Sequence, residues 1–188
     1  MHKLTAITAL GGHEPRVDVI GAVELREHAG LALASVHARL GQEEACRAHL
    51  SDLLDGRVPE VGNTVLRDPE AAFWMGPDQW MVGAPFASHE DLAAKLKTRF
   101  GDTASITEQT DAWACFDMRG AGMEEAMELL CAIDIRRMQT GDAQRTSIHH
   151  LGCFVLRRDP SDWVRILGPR ASATSLHHAL ITAMHSAA

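Results

Sequence analysis

The chain has 188 residues, 46% of them hydrophobic and 23% charged, with a formal net charge of −7. That composition supports one domain, or two small lobes, with a true core, and excludes a disordered chain. The acidic balance gives no electrostatic reason to hold nucleic acid or an anionic membrane. An aromatic content of 5% without tyrosine does not suit a base-stacking platform.

Met1-His2-Lys3 leads into no apolar signal segment, and no run approaches the roughly 20 apolar residues of a membrane span. The cysteines, Cys46, Cys115, Cys131 and Cys153, form no C-x-x-C pair. They read as reduced, mostly buried thiols of a cytoplasmic protein.

Residues 1–30 are punctuated by Gly11-Gly12, Pro15, Gly21 and Gly30 and lack a clear period, so they are predicted to form an extended N-terminal arm. A strand is predicted from Leu31 to Arg39, with Leu31, Leu33, Ser35 and His37 on one side. A helix follows from Gly41-Gln42-Glu43-Glu44, burying Cys46, Leu50, Leu53 and Leu54 and stopping at Gly56. After a short strand at Thr64–Arg67, two apolar runs flank Gly76-Pro77-Asp78-Gln79. Pro77 presets the φ of a turn, and a hairpin is predicted with Trp74 and Trp80 burying surface. Ser88 is read as the N-cap of a helix that carries Leu92, Leu96 and Phe100, with Asp91 as the capping-box acid.

Strands are predicted over Ser105–Gln109 and Trp113–Arg119. In the second, Ala114, Phe116 and Met118 point one way and Cys115, Asp117 and Arg119 the other. Gly120 and Gly122 open a helix bearing Met123, Ala126, Met127 and Leu130. A short strand at Gln144–Ile148 precedes a second hairpin, Leu151 to Leu167, turning at Asp159-Pro160-Ser161. A final helix buries Leu176, Ala179, Leu180, Ala183 and Met184. The order predicts an α+β fold, a single domain over 31–188 with pseudo-repeat halves 31–110 and 111–188, each of antiparallel or mixed sheet covered by helices.

Chemical motifs are sparse. No P-loop, dinucleotide fingerprint or G-x-S-x-G elbow is present. The doublets His149-His150 and His177-His178 lack the ligand pattern of a zinc site. Adjacent histidines in a strand point to opposite faces, and His178 and His185 share a polar helix face, so no metal site is expected. A Cys–His pair can meet in space without a sequence signature. Asp117 is the carboxylate of interest: either a positioned functional group, or one half of a strand-surface ion pair with Arg119, worth little. The tryptophans Trp74, Trp80, Trp113 and Trp163 fit core or subunit-interface packing.

The segment from Phe73 to Val82 resembles the G-P-D-x-W hairpin of folate-binding aminomethyltransferase-like domains. Asp117-Met118-Arg119-Gly120, the helix to Leu130 and Cys131-Ala132-Ile133-Asp134 resemble the next part of that domain. Thr146 to His150, the second hairpin, and Trp163 to Leu180 are similar to the gamma subunit of heterotetrameric sarcosine oxidase. The resemblance spans about Leu31 to Leu180. It implies a complex that demethylates sarcosine oxidatively to glycine, releasing hydrogen peroxide and formaldehyde or methylenetetrahydrofolate. FAD, FMN, NAD and tetrahydrofolate are then expected on other subunits and zinc on delta. The gamma chain would be a non-catalytic assembly partner of alpha, beta and delta, with no catalytic, cofactor or metal residue of its own. The alternative is a folate-binding one-carbon transfer protein with Asp117 at the floor of its pocket.

Overall fold

A computed structural model describes residues 5–158 and 162–188. In chain order the strands are β1 (Val17–Ile20), β2 (Val23–Glu27), β3 (Leu31–Ala38), β4 (Thr64–Val65), β5 (Ala71–Gly76), β6 (Gln79–Pro85), β7 (Ala104–Glu108), β8 (Trp113–Arg119), β9 (Ala143–Ile148), β10 (Leu151–Arg157) and β11 (Trp163–Pro169). The helices are α1 (Glu43–Leu53), α2 (Phe86–His89), α3 (Leu92–Phe100), α4 (Met123–Leu130) and α5 (Ala173–Ala187). They divide into two compact units, one of Gly30–Asp111 with Gly141–Ala143, the other of the chain up to Ala29 with Ala112–Thr140 and Gln144–Ala188. The chain passes from the first unit to the second between Asp111 and Ala112.

The unit around Gly30–Asp111 is a five-stranded antiparallel sheet, in the order β4-β5-β6-β3-β7. The small side of β3, Ala32, Ala34 and Val36, faces the helix layer and packs with Trp80 and Val82 of β6. Cys46, Leu50 and Leu53 of α1 and Leu92, Leu96 and Phe100 of α3 close that core, as their helical spacing requires. Trp80 is 0% exposed, and its indole N–H donates to the Pro59 carbonyl at 2.9 Å. The β5–β6 hairpin turns on Pro77 and Asp78. Asp78 has φ +53°, the positive angle that a type II turn needs at its third position, and Asp tolerates it. One predicted helix proves to be two. Ser88 lies inside α2, where its hydroxyl donates to Pro85 O rather than capping, and Asp91 ends up as the N-cap of α3, paired to Lys95 at 2.8 Å.

The other unit is a six-stranded antiparallel sheet, β1-β2-β8-β11-β10-β9, with α4 and α5 on one face. Leu25, Phe116, Met118, Val155 and Ile166 meet Met127, Leu176 and Leu180 there. Two glycines allow the close approaches this needs. A Cβ at Gly168 would lie 2.4 Å from Leu176 on α5, and one at Gly120 would lie 2.1 Å from the Ala22 carbonyl. Residues 5–30 differ from the predicted arm: β1 and β2 form a hairpin at the sheet edge, and Val23 and Leu25 are core residues. These strands are only four and five residues long, too short to show a period among glycines.

The two sheets share one topology. Read from β4 and from β9 respectively, the orders β4-β5-β6-β3-β7 and β9-β10-β11-β8-β2 correspond strand for strand. The last place is filled by β7 in one unit. In the other it is filled by β2, which precedes its neighbours in sequence. The β9–β10 turn consists of His149 and His150, with φ +48° and +66°. Two positive angles in a two-residue loop make a type I′ turn, so these histidines are not strand residues as their sequence suggested. The predicted turn Asp159-Pro160-Ser161 lies outside the described residues.

Candidate functional site

The site is built on the face of the six-stranded sheet opposite its helices. Strand alternation sends Phe116 and Met118 to the core, and Cys115, Asp117 and Arg119 to the other side. Antiparallel register sets Arg165 of β11 against Asp117 and Trp163 against Arg119. On the other flank it sets Arg26 and Glu24 of β2 against the same two residues.

Asp117 and Arg165 make a buried bidentate pair. The guanidinium donates from Nε to Oδ1 at 2.7 Å and from Nη2 to Oδ2 at 2.8 Å, with the two residues 2% and 8% exposed. This corrects the sequence reading of a surface pair with Arg119. The partner comes from a strand 48 positions away, and the pair is out of water. Arg119 instead approaches Glu24 at 3.6 Å, and Glu24 also takes Arg26 at 3.3 Å. Burial opposes the charge on Asp117, but the bonds from Arg165 outweigh it and hold the carboxyl below its usual range. His28 Nδ1 lies 3.6 Å from Asp117 Oδ2, and burial first, then the nearby Arg165 charge, pushes its pKa down to about 4. It is therefore neutral at pH 7.

Trp163 gathers the cations of this face. The guanidinium carbons of Arg119, Arg158 and Arg165 stand 4.9, 5.2 and 5.8 Å from its ring centroid. The indole N–H leans toward Asp117 and helps keep it ionised, yet falls short of hydrogen-bond geometry. Among the described residues, the buried side-chain donors without an acceptor are Arg157 Nε, Arg158 Nε and Trp163 Nε1. Arg157 is otherwise engaged, through Nη2 with Glu124 at 2.6 Å, beside a cavity of about 280 Å³ under Gly120 and Gly122.

This arrangement can hold charge in place but does not present a base or nucleophile. Both Asp117 oxygens are occupied by Arg165. Cys115 beside it is buried, and its thiol is pushed up to about 12. Burial likewise pushes Cys46 and Cys153 up to about 11. Among the described residues no group of three or more His, Cys, Asp or Glu side chains could hold a metal ion. The histidine doublets separate. His177 is 8% exposed and bonds Asp18 at 2.8 Å, whereas His178 and His149 line a groove of about 480 Å³ with Leu129 and Leu130. No described helix is long and apolar enough to cross a membrane.

Sequence reading found Asp117 and missed Arg165, Arg158 and His28. A signal was available for one of them: Arg165 interrupts the apolar run of β11 as Asp117 interrupts that of β8, and opposite charges inside two apolar strands call for each other.

Two antiparallel sheets of one topology, each covered by helices, can be compared with solved structures. A chain of the heterotetrameric sarcosine oxidase from Corynebacterium sp. U-96 superposes with a TM-score of 0.74 and 23% identity, over 90% of this chain and 87% of that one. The glycine cleavage system aminomethyltransferase T from Bartonella henselae superposes with a TM-score of 0.63 and 14% identity, over 86% of this chain. The fold is aminomethyltransferase-like. It is the α+β arrangement that the sequence resemblance implied. This chain covers 46% of the aminomethyltransferase, so within the aminomethyltransferase-like fold it spans about half of that enzyme. No family model matches the sequence, and comparison with curated protein sequences finds no match.

Proposed function

We propose that this chain is the gamma-type subunit of a heterotetrameric sarcosine oxidase, a non-catalytic member that packs against alpha, beta and delta chains in the cytoplasm. In this reading FAD, FMN, NAD and tetrahydrofolate belong to the other subunits, and the complex demethylates sarcosine to glycine. The observation that carries the reading is the two-way overlap with the sarcosine oxidase chain, 90% of one and 87% of the other, against 46% of the aminomethyltransferase. Two chains of nearly equal extent share a whole fold, not a fragment. The closed state of Asp117 supports it: a carboxylate already bonded twice by Arg165 has little left for a pterin ring. The test is purification of the tagged chain from its native host. Flavin absorbance and two larger chains are expected to co-elute. A flavin-free monomer would overturn the assignment.

A folate-binding role is the second reading, favoured by the superposition on aminomethyltransferase T. It requires Asp117 to exchange Arg165 for ligand. Titration of the isolated chain with tetrahydrofolate decides it: saturable binding weakened by Asp117→Asn supports it, and no binding at millimolar concentration ends it.

A further inference from the structure

We propose that the Arg158–Trp163 corner of the six-stranded sheet binds a carboxylate. On this face Arg26, Arg119, Arg158 and Arg165 stand among Glu24 and Asp117. Asp117 is consumed by the bidentate bond to Arg165, and Glu24 is shared by Arg26 and Arg119. No described carboxylate is left to pair with Arg158, although the chain as a whole carries a net charge of −7. A half-buried guanidinium without an ion-pair partner of its own is a costly arrangement: burial and the neighbouring Arg165 charge make its protonated form harder to hold, and the opposing pull of Asp117, already bonded to Arg165, does not offset them.

The second observation is the pair of orphaned donors. Arg158 Nε and Trp163 Nε1 are both shielded from solvent and neither completes a hydrogen bond; the indole N–H leans toward Asp117, whose two oxygens Arg165 already holds. Buried donors of this kind are normally satisfied, so two on adjoining side chains mark a place where an acceptor belongs. The guanidinium stands 5.2 Å from the indole centroid, which gives the corner a flat apolar wall beside its positive charge. A guanidinium edge and one indole N–H suit a planar monoanion with two oxygens, whereas a phosphate dianion asks for more donors. The adjacent Asp117–Arg165 pair shows the same face holding a carboxylate edge-on. The carboxylate can come from a free organic acid or from an acidic side chain of a partner chain.

The assay is thermal melting of the full chain in sodium propionate, against sodium chloride of equal ionic strength. At five times its dissociation constant propionate raises Tm by about 2–4 °C. Arg158→Gln abolishes the shift. Arg145→Gln, which removes an exposed charge of β9, keeps it. Trp163→Phe, which keeps a ring and loses the N–H, weakens binding by about fivefold. Without ligand Arg158→Gln melts no lower than wild type, because it removes an unpaired charge. Should propionate give no shift while Arg158→Gln, unlike Arg145→Gln, weakens capture of co-expressed flavin-bearing chains by tenfold or more, the carboxylate is the partner's. If both arms leave Arg158→Gln equal to Arg145→Gln, the proposal is wrong. Where no partner chain is recovered, the propionate arm decides alone.

Discussion

Replacing Asp117 by alanine would strand the Arg165 guanidinium at a position where it is 8% exposed. Two charge-assisted hydrogen bonds, of 2.7 and 2.8 Å, would be lost, and the remaining cation would have no described carboxylate opposite it. Breaking one partner of a buried pair costs about 3–5 kcal/mol. For a chain of this size that lowers Tm by about 6–20 °C, at about 2–4 °C per kcal/mol. Adding Arg165→Met should restore most of the loss, since an apolar replacement of the whole pair is about neutral. Urea melts of wild type, both single variants and the double variant close the cycle and give the coupling directly. The pH dependence has a definite sign. The folded pKa of Asp117 lies below its unfolded value of about 3.9, so the pair's contribution is complete above that value and is lost as pH falls through the folded pKa. The gap between wild type and Asp117→Ala should therefore be flat from about pH 5 to 8 and shrink in acid. A loss under about 1 kcal/mol, with no rescue by Arg165→Met, would show a solvent-screened pair and refute the reasoning.

Four further outcomes are expected. Trp80→Ala should cost about 3–5 kcal/mol in urea melts, since the ring is 0% exposed and its N–H is bonded; a cost under 1 kcal/mol would contradict that burial. Replacing His149-His150 by Asn-Gly should raise Tm by about 2–4 °C, because both residues hold positive φ that Asn and Gly adopt at less cost; an unchanged Tm would mean that the turn is unstrained. Glu27→Ala should expose the segment before Arg16 to limited proteolysis, because the carboxylate accepts the Leu10 and Arg16 backbone N–H groups at 2.9 and 3.2 Å; equal cleavage rates would count against this anchor. In native protein Cys131 should react first with a thiol reagent, the other three being buried, and simultaneous reaction of all four would show that the core opens.

Much of the architecture is legible in the sequence, where a period is long enough to count. β8 shows its two faces in seven residues, and α1, α3 and α5 show theirs through leucines three and four apart. The β5–β6 hairpin announced itself through Pro77. What stayed hidden depended on partners distant in sequence. β2 carries only Val23 and Leu25 inward, and nothing local says that its neighbour is β8. Asp117 looked tied to Arg119 because strand alternation puts them on one face, whereas cross-strand register supplied Arg165. The two histidines read as strand because positive φ leaves no mark on residue type unless Gly, Asn or Asp is present.

The position of β2 also constrains how the polypeptide can be made. A ribosome releases β1 and β2 first, but their sheet neighbour β8 begins at Trp113, after the whole of Gly30–Asp111 has emerged. The five-stranded unit has nearly everything it needs by Asp111, so it can fold while the first hairpin waits unpaired. Topologically, that unit is an insertion between two strands that lie side by side. A circularly permuted gene that moves residues 5–29 behind Ala188 would place β2 after α5, where β7 stands after α3 in the other unit. Such a chain would build each half from consecutive residues apart from Gly141–Ala143, and would bring β1 close in sequence to α5, which it meets through Asp18 and His177, without changing a single native contact within the sheet.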